Sequence, residues 1–258
     1  MSLQGRTIAI TRPKEQCASL AAAIQAQGGT PLLAPMLTIT PILHNCDLEI
    51  AANRLQQFRT AIFISPNSVE YSLPTLLKSQ PWPAHLQAAA VGPGTSKTLT
   101  THGISNCLLP ENQRYDSEGL LDRPEFQPEA IAGKSVLLLR GVGGRELLAE
   151  TLIKRGADVH PISCYQRSAP TDLAQPIQSA WKQNKLDGIL LSSSESLANL
   201  LAALNPDERQ RLSRTPIFVP HHRIAEKAQA AGLMQIILTP PAEEGMLLGL
   251  LSYNWPTL

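Results

Sequence analysis

"GKSVLLLRGVGGRELLAETLIKRGADVHPISCYQRSAP", residues 133–170, decides the fold, because the chain holds a second version of it. Residues 5–41 read "GRTIAITRPKEQCASLAAAIQAQGGTPLLAPMLTITP". Both run glycine, basic residue, apolar strand, arginine, helix, glycine, second apolar strand, proline. The likeness continues downstream. "AIFISPNSVEYSLPTLL" from Ala61 is matched by "GILLSSSESLANLLAAL" from Gly188, each a strand, a serine turn and a helix. "AAAVGPGTSKTLTTHGI" from Ala88 is matched by "PIFVPHHRIAEKAQAAGL" from Pro216. Each half then closes on an acidic-glycine element, "DSEGLL" at Asp116 and "AEEGMLLGLL" at Ala242. The offset stays at roughly 127 residues, which reads as an internal duplication of a βα unit.

The strands are continuous apolar runs, such as Ile62–Ile64 and Val136–Leu139. Strands buried on both faces read this way and belong to parallel sheets covered by helices. Alternation with helices gives an α/β fold with two similar lobes. Ser192 with Glu195, and Asn67 with Glu70, have capping-box spacing and are the expected helix starts. Gly28, Gly103, Gly156 and Gly232 fall where helices should end, since glycine takes the left-handed cap without strain.

"LTITPILHN" at Leu37 and "ISCYQRSAP" at Ile162 are equivalent under the repeat. Each is a short extended segment following a complete βαβ unit. If both cross between lobes, the lobes exchange their first βα unit. The expected division is then 1–37 with 168–258 for one lobe, 42–163 for the other, and 38–41 and 164–167 as connectors.

Bulk properties narrow the function. The 258 residues carry 22 basic and 21 acidic side chains, a balance that argues against broad binding to nucleic acid or membrane. Hydrophobic residues make up 43% and aromatics only 4%, so aliphatic side chains must fill the core. Cys17, Cys46, Cys107 and Cys164 are far apart, with neither a CxxC pair nor clustered zinc ligands. Reduced structural thiols in a cytoplasmic protein are the expectation. The N-terminal stretch "MSLQGRTIAI" has the apolar run of neither a signal peptide nor an anchor. No heptad or long apolar patch signals an oligomer, so a monomer is expected.

In open α/β sheets, ligands bind beyond the carboxyl ends of the strands. Those ends carry Arg12; Ser65, Asn67 and Ser68; Gly92, Thr95 and Lys97; Arg140, Gly141 and Arg145; Ser193 and Ser194; and His221, His222 and Arg223. These short polar turns open helices, offering free amides and the positive end of the helix dipole. The arginines and Lys97 add mobile positive charge, so the natural ligand is polyanionic. "GVGGR" fails the dinucleotide fingerprint, because Gly141, Gly143 and Gly144 are followed by Arg145 and Glu146. Adjacent His221 and His222 point apart, and no metal site is expected. "SSSES" lacks a nucleophile elbow and reads as a cap or anion contact.

The motifs "ITRP", "FISPNSV", "AVGPGTSKTL" and "SEGLL", followed by the stretch quoted first, resemble the uroporphyrinogen-III synthase family along nearly the whole chain. The resemblance implies two flavodoxin-like lobes joined by a two-stranded connector. It also implies a cofactor-free lyase that closes linear hydroxymethylbilane to uroporphyrinogen III, with loss of water and inversion of the last pyrrole ring. A transient hand-over from hydroxymethylbilane synthase is implied as well. The substrate's eight carboxylates suit the amide-rich helix starts. Tyr165 matches the family tyrosine that is the candidate donor to the departing hydroxyl, a phenol being able to give a proton at neutral pH. The other reading of Tyr165 is a packing residue beside the hinge. Ser65 and Asn67 match the family's serine turn, and Ser193 and Ser194 its counterpart without the proline. "VPHHRIAEKA" departs from the family's Gly-Pro-Thr turn, leaving His221 and His222 as candidate carboxylate contacts. The alternative from another class is a two-lobed protein that traps a small anion without reacting.

Overall fold

The structure is a computed structural model that describes residues 2–112, 114–144 and 146–256. Its strands are β1 (Thr7–Ile10), β2 (Thr30–Leu33), β3 (Thr38–Pro41), β4 (Thr60–Phe63), β5 (Gln87–Ala90), β6 (Cys107–Leu108), β7 (Ser135–Gly141), β8 (Asp158–Ser168), β9 (Gly188–Leu190), β10 (Ile217–Val219) and β11 (Ile236–Leu238). The chain divides into two compact units, Met1–Ile39 with Ser168–Leu258, and Thr40–Arg167.

One sheet has the order β11-β10-β9-β1-β2 and the other β3-β8-β7-β4-β5-β6. Pairing through β11-β10-β9-β1-β2 is parallel throughout. So is pairing through β8-β7-β4-β5-β6. Set beside each other, β2-β1-β9-β10-β11 and β8-β7-β4-β5-β6 are one arrangement, the flavodoxin-like order 2-1-3-4-5. In the first, β1 and β2 share a sheet with β9–β11 from the end of the chain; in the second, β7 and β8 share one with β4–β6, which precede them. At the β8 edge of the second sheet, the Ile42 amide donates to the Cys164 carbonyl at 3.1 Å.

Successive strand residues point to opposite faces. In the first unit Ile8 and Ile10, with Leu190 and Phe218, pack on Leu20, Ile24, Met246 and Leu250. The intervening Ala9, with Ile189, Leu191, Ile217 and Val219, packs on Ile177, Leu197, Leu200 and Ile224. In the second unit Ile62, Ala89, Val136 and Leu138 cover Leu120, Leu148 and Leu152. Full burial of such a side chain contributes about 1.5–3 kcal/mol, so the all-apolar strand pattern is what two-sided burial requires.

Helix ends fall where the glycines place them. Gly28, Gly103, Gly156 and Gly232 have φ of 81°, 83°, 84° and 83°. Two helix starts differ from expectation. The helix Pro66–Leu76 is capped by Ser65, not Asn67. Pro66 lacks an N–H and has the φ of a first helical residue, so the helix begins directly behind Ser65. The helix Ser194–Ala203 is capped by Ser193, not Ser192, because extended backbone persists through Ser193. Both caps are Ser-x-x-Ser: Ser65 Oγ accepts from the Ser68 amide and Ser193 Oγ from the Ser196 amide. A serine hydroxyl thus occupies the place usually given to glutamate.

Candidate active site

In the second unit, the carboxyl ends of β4, β7 and β8 bring Ser65, Gly141 and Tyr165 together. β8 runs beside β7 in regular register until Arg140 meets Ser163. A bulge then sets Gly141 opposite Tyr165. The extra residue re-aims the strand there. The Tyr165 ring lies against Gly141, where an added Cβ would be 2.7 Å from it. Its hydroxyl lies 3.0 Å from Ser65 Oγ. Arg167 Nη2 donates to that hydroxyl at 3.4 Å, and its guanidinium carbon stands 5.8 Å from the ring centroid. Tyr71 packs on the ring at a centroid distance of 6.1 Å. Tyr165 is 1% exposed. It is therefore a buried side chain whose polar tip is held by two partners, as burial of a hydroxyl requires.

The neighbouring turns supply charge and amides. A cavity of about 420 Å³ is lined by Ile64, Val91, Ser117, Arg140, Gly143 and Arg167, among others. Arg140 Nη1 faces Glu146 Oε1 at 2.9 Å, outside hydrogen-bond alignment, and Nε is buried without an acceptor. A buried, under-satisfied guanidinium favours an incoming anion. Ser68 is fully buried and its hydroxyl serves the cap, donating to the Ser65 carbonyl at 2.7 Å. Asn67 is half-buried in the first turn of the same helix. The helix Pro93–Thr101 starts at Gly92 without a side-chain cap, so its first amides are open. Thr95 is buried in that turn and Lys97 is exposed. Arg145 lies outside the described residues.

In the first unit, Arg12 does not stand free. Its Nη1 donates to Glu243 Oε1 at 2.6 Å, an ion pair made by the acidic-glycine element. Ser193 Oγ donates to Ser196 Oγ at 2.8 Å. Ser194 Oγ is buried without a partner. His221 and His222 are exposed, His221 preceding the helix His222–Ala230 without capping it. Sequence reasoning passed over Arg167, Tyr71, Glu243 and Ser196 as partners. Arg167 had a signal: it stands two residues after Tyr165 on a strand, hence on the same face.

The family description "Uroporphyrinogen-III synthase HemD" matches residues 18–248. The chain belongs to the uroporphyrinogen-III synthase family. A uroporphyrinogen-III synthase of Escherichia coli K12 is 28% identical over 244 residues, 94% of this chain and 98% of that protein. One of Proteus mirabilis is 33% identical over 201 residues, 76% of this chain and 98% of that protein. Among solved structures, a mutant uroporphyrinogen III synthase of Thermus thermophilus superposes with a TM-score of 0.62 at 14% identity, covering 95% of this chain and 97% of that one. The enzyme of Helicobacter pylori 26695 gives 0.57 at 19% identity, covering 96% and 99%. The two-sheet α/β fold of this chain is thus the fold of family structures. No helix of the described residues is long and apolar enough to cross a membrane.

Proposed function

We propose that this chain is a uroporphyrinogen-III synthase, a lyase that closes hydroxymethylbilane with loss of water and inversion of the terminal pyrrole ring. The observation that carries this is the family match through residues 18–248. The anion-trapping alternative finds no support among the relatives. The reaction asks for two things, a proton at the departing hydroxyl and a grip on the folded bilane. Pyrrole nitrogens supply the push that expels the hydroxyl. The electrophile then cyclises at a substituted carbon, opens and recloses inverted. Unassisted closure gives the uninverted ring, so holding the conformation is the main task.

Tyr165 is our ultimate source of acid, directly or through a neighbouring hydroxyl, with Ser65 and Arg167 on its own hydroxyl supporting that role. Arg140, the open amides behind Gly92, Lys97, Asn67 and the turns at Ser193–Ser194 and His221–His222 are our carboxylate contacts. Arg12 joins them only by leaving Glu243. Segments 38–41 and 164–167 are our connectors between lobes. The reaction needs no cofactor, and its setting is the cytoplasm, with substrate arriving from hydroxymethylbilane synthase. The test is direct: purified protein is mixed with hydroxymethylbilane, the product oxidised and the isomers resolved. Isomer III is expected, and isomer I alone overturns the proposal.

A further inference from the structure

The Tyr165 hydroxyl has no open path of its own. The residue is 1% exposed, and its ring is walled by Gly141 and Tyr71. The hydroxyl next along is Ser65 Oγ, 3.0 Å away and half-buried. Ser65 Oγ already accepts the Ser68 amide hydrogen at 3.2 Å. A serine oxygen has two lone pairs and one hydrogen. One lone pair is thus committed to the cap; either oxygen can donate in the contact with Tyr165, and when the phenol donates the serine hydrogen remains to be given elsewhere.

The equivalent cap in the other unit is wired differently. There Ser193 spends its hydrogen on Ser196 Oγ at 2.8 Å. In the Ser65 cap Ser68 Oγ is engaged with the backbone instead, accepting from the Ser65 amide at 3.1 Å and donating to the Ser65 carbonyl at 2.7 Å. The two hydroxyls of the Ser-x-x-Ser cap are thus joined to each other at Ser193, whereas at Ser65 the box closes through the backbone and leaves Ser65 Oγ beside Tyr165. Capping alone does not require that difference.

We propose that Ser65, not Tyr165, hands the proton to the departing hydroxyl, and that Tyr165 recharges Ser65; this rests on the synthase reaction proposed above. The bond between the hydroxymethyl carbon and its oxygen breaks, and the electron pair leaves with oxygen. That oxygen takes the Ser65 hydrogen and departs as water. Ser65 oxygen takes the phenolic hydrogen, leaving a phenolate opposite a cationic bilane. Arg167 Nη2 at 3.4 Å meets the phenolate charge, and Ser65 sits at the positive end of an 11-residue helix. When the ring closes, the attacked pyrrole system releases one proton to restore its aromaticity. It returns to the phenolate through Ser65, so the relay ends as it began.

The test uses four variants of the full chain: Ser65→Gly, Ser65→Thr, Tyr165→Phe and the Ser65→Gly/Tyr165→Phe pair. Glycine is nearly as good an N-cap as serine, so removal of the hydroxyl is separated from unfolding, which thermal melts check. Single-turnover rates should fall by about tenfold or more in Ser65→Gly and in Tyr165→Phe. The pair should be no slower than the slower single variant, because both interrupt one relay. Ser65→Thr, which restores a hydroxyl at the cap, should recover most of the loss. The wild-type rate plotted against deuterium fraction should curve, since two hydrogens move together, and become linear in Ser65→Gly. A wild-type rate in Ser65→Gly, or losses that multiply in the pair, overturns the relay while isomer III from the wild type leaves the synthase reading standing. Isomer I alone from the wild type sinks both.

Discussion

Gly141 and Tyr165 stand opposite each other across a bulge, and the tyrosine ring fills the space where any other residue would carry a Cβ, which would lie 2.7 Å from the ring. Gly141 therefore sets where the phenol sits. Gly141→Ala should push the ring away and lengthen the 3.0 Å contact with Ser65. The overpacking should cost about 1–3 kcal/mol. Turnover should fall with KM little changed, because the substrate grip is untouched. If steady-state kinetics show KM rising at constant turnover, Gly141 holds substrate instead.

Glu243 keeps Arg12 occupied. The pair is 2.6 Å apart, with side-chain exposures of 19% and 32%. Glu243→Gln leaves the shape and removes the charge. The guanidinium is then free for a substrate carboxylate, and KM should fall by up to about fivefold, matching the ~1 kcal/mol of a partly exposed ion pair. The check is the KM of Glu243→Gln beside that of Arg12→Gln, which should rise. An unchanged KM in both would leave Arg12 a structural residue.

What the sequence exposed and what it hid follow from distance along the chain. Apolar strands, glycine stops and the two equivalent βαβ stretches are local patterns, and they led to the α/β architecture and its parallel sheets. The caps lie one and two residues from the expected places because extended backbone persists through Ser193, and because Pro66 outranks the Asn67–Glu70 spacing, with Ser68 doing there the work expected of glutamate. The site's wiring was out of reach. Ser65 and Tyr165 are 100 residues apart, and Arg12 and Glu243 are 231 apart, so no periodicity links them. The bulge at Arg140–Gly141 is equally silent, since it depends on how β8 meets β7.

The acidic-glycine elements offer a test of packing in each unit. A Cβ on Gly119 would collide with the Arg114 carbonyl, and one on Gly245 with the Pro240 carbonyl. In both cases the backbone five residues upstream folds onto the glycine at the start of a helix, Ser117–Leu121 or Ala242–Ser252. Backbone cannot swing aside as a side chain can. Gly119→Ala and Gly245→Ala should each destabilise by about 1–3 kcal/mol. Chemical unfolding measures this, and a stability within about 0.5 kcal/mol of wild type in either would show that the turn relaxes.

The thiols report on whether β8 stays closed in solution. Burial pushes the Cys164 thiol up to about 12, next to Tyr165 on the strand. Burial also raises Cys17 and Cys107. Cys46 is exposed at the start of the helix Cys46–Asn53. Thiolate is the reactive form, so a raised thiol stays protonated and inert at about pH 8. With a small maleimide, Cys46 should be modified first and Cys107, half-buried, more slowly. Cys17 and Cys164 should react only as the protein unfolds, and loss of turnover should track Cys164 rather than Cys46. Peptide mass spectrometry against time separates the four sites. Modification of Cys164 in folded protein as fast as Cys46 would mean that β8 opens readily, and that the burial of Tyr165 is not a fixed feature of the resting enzyme.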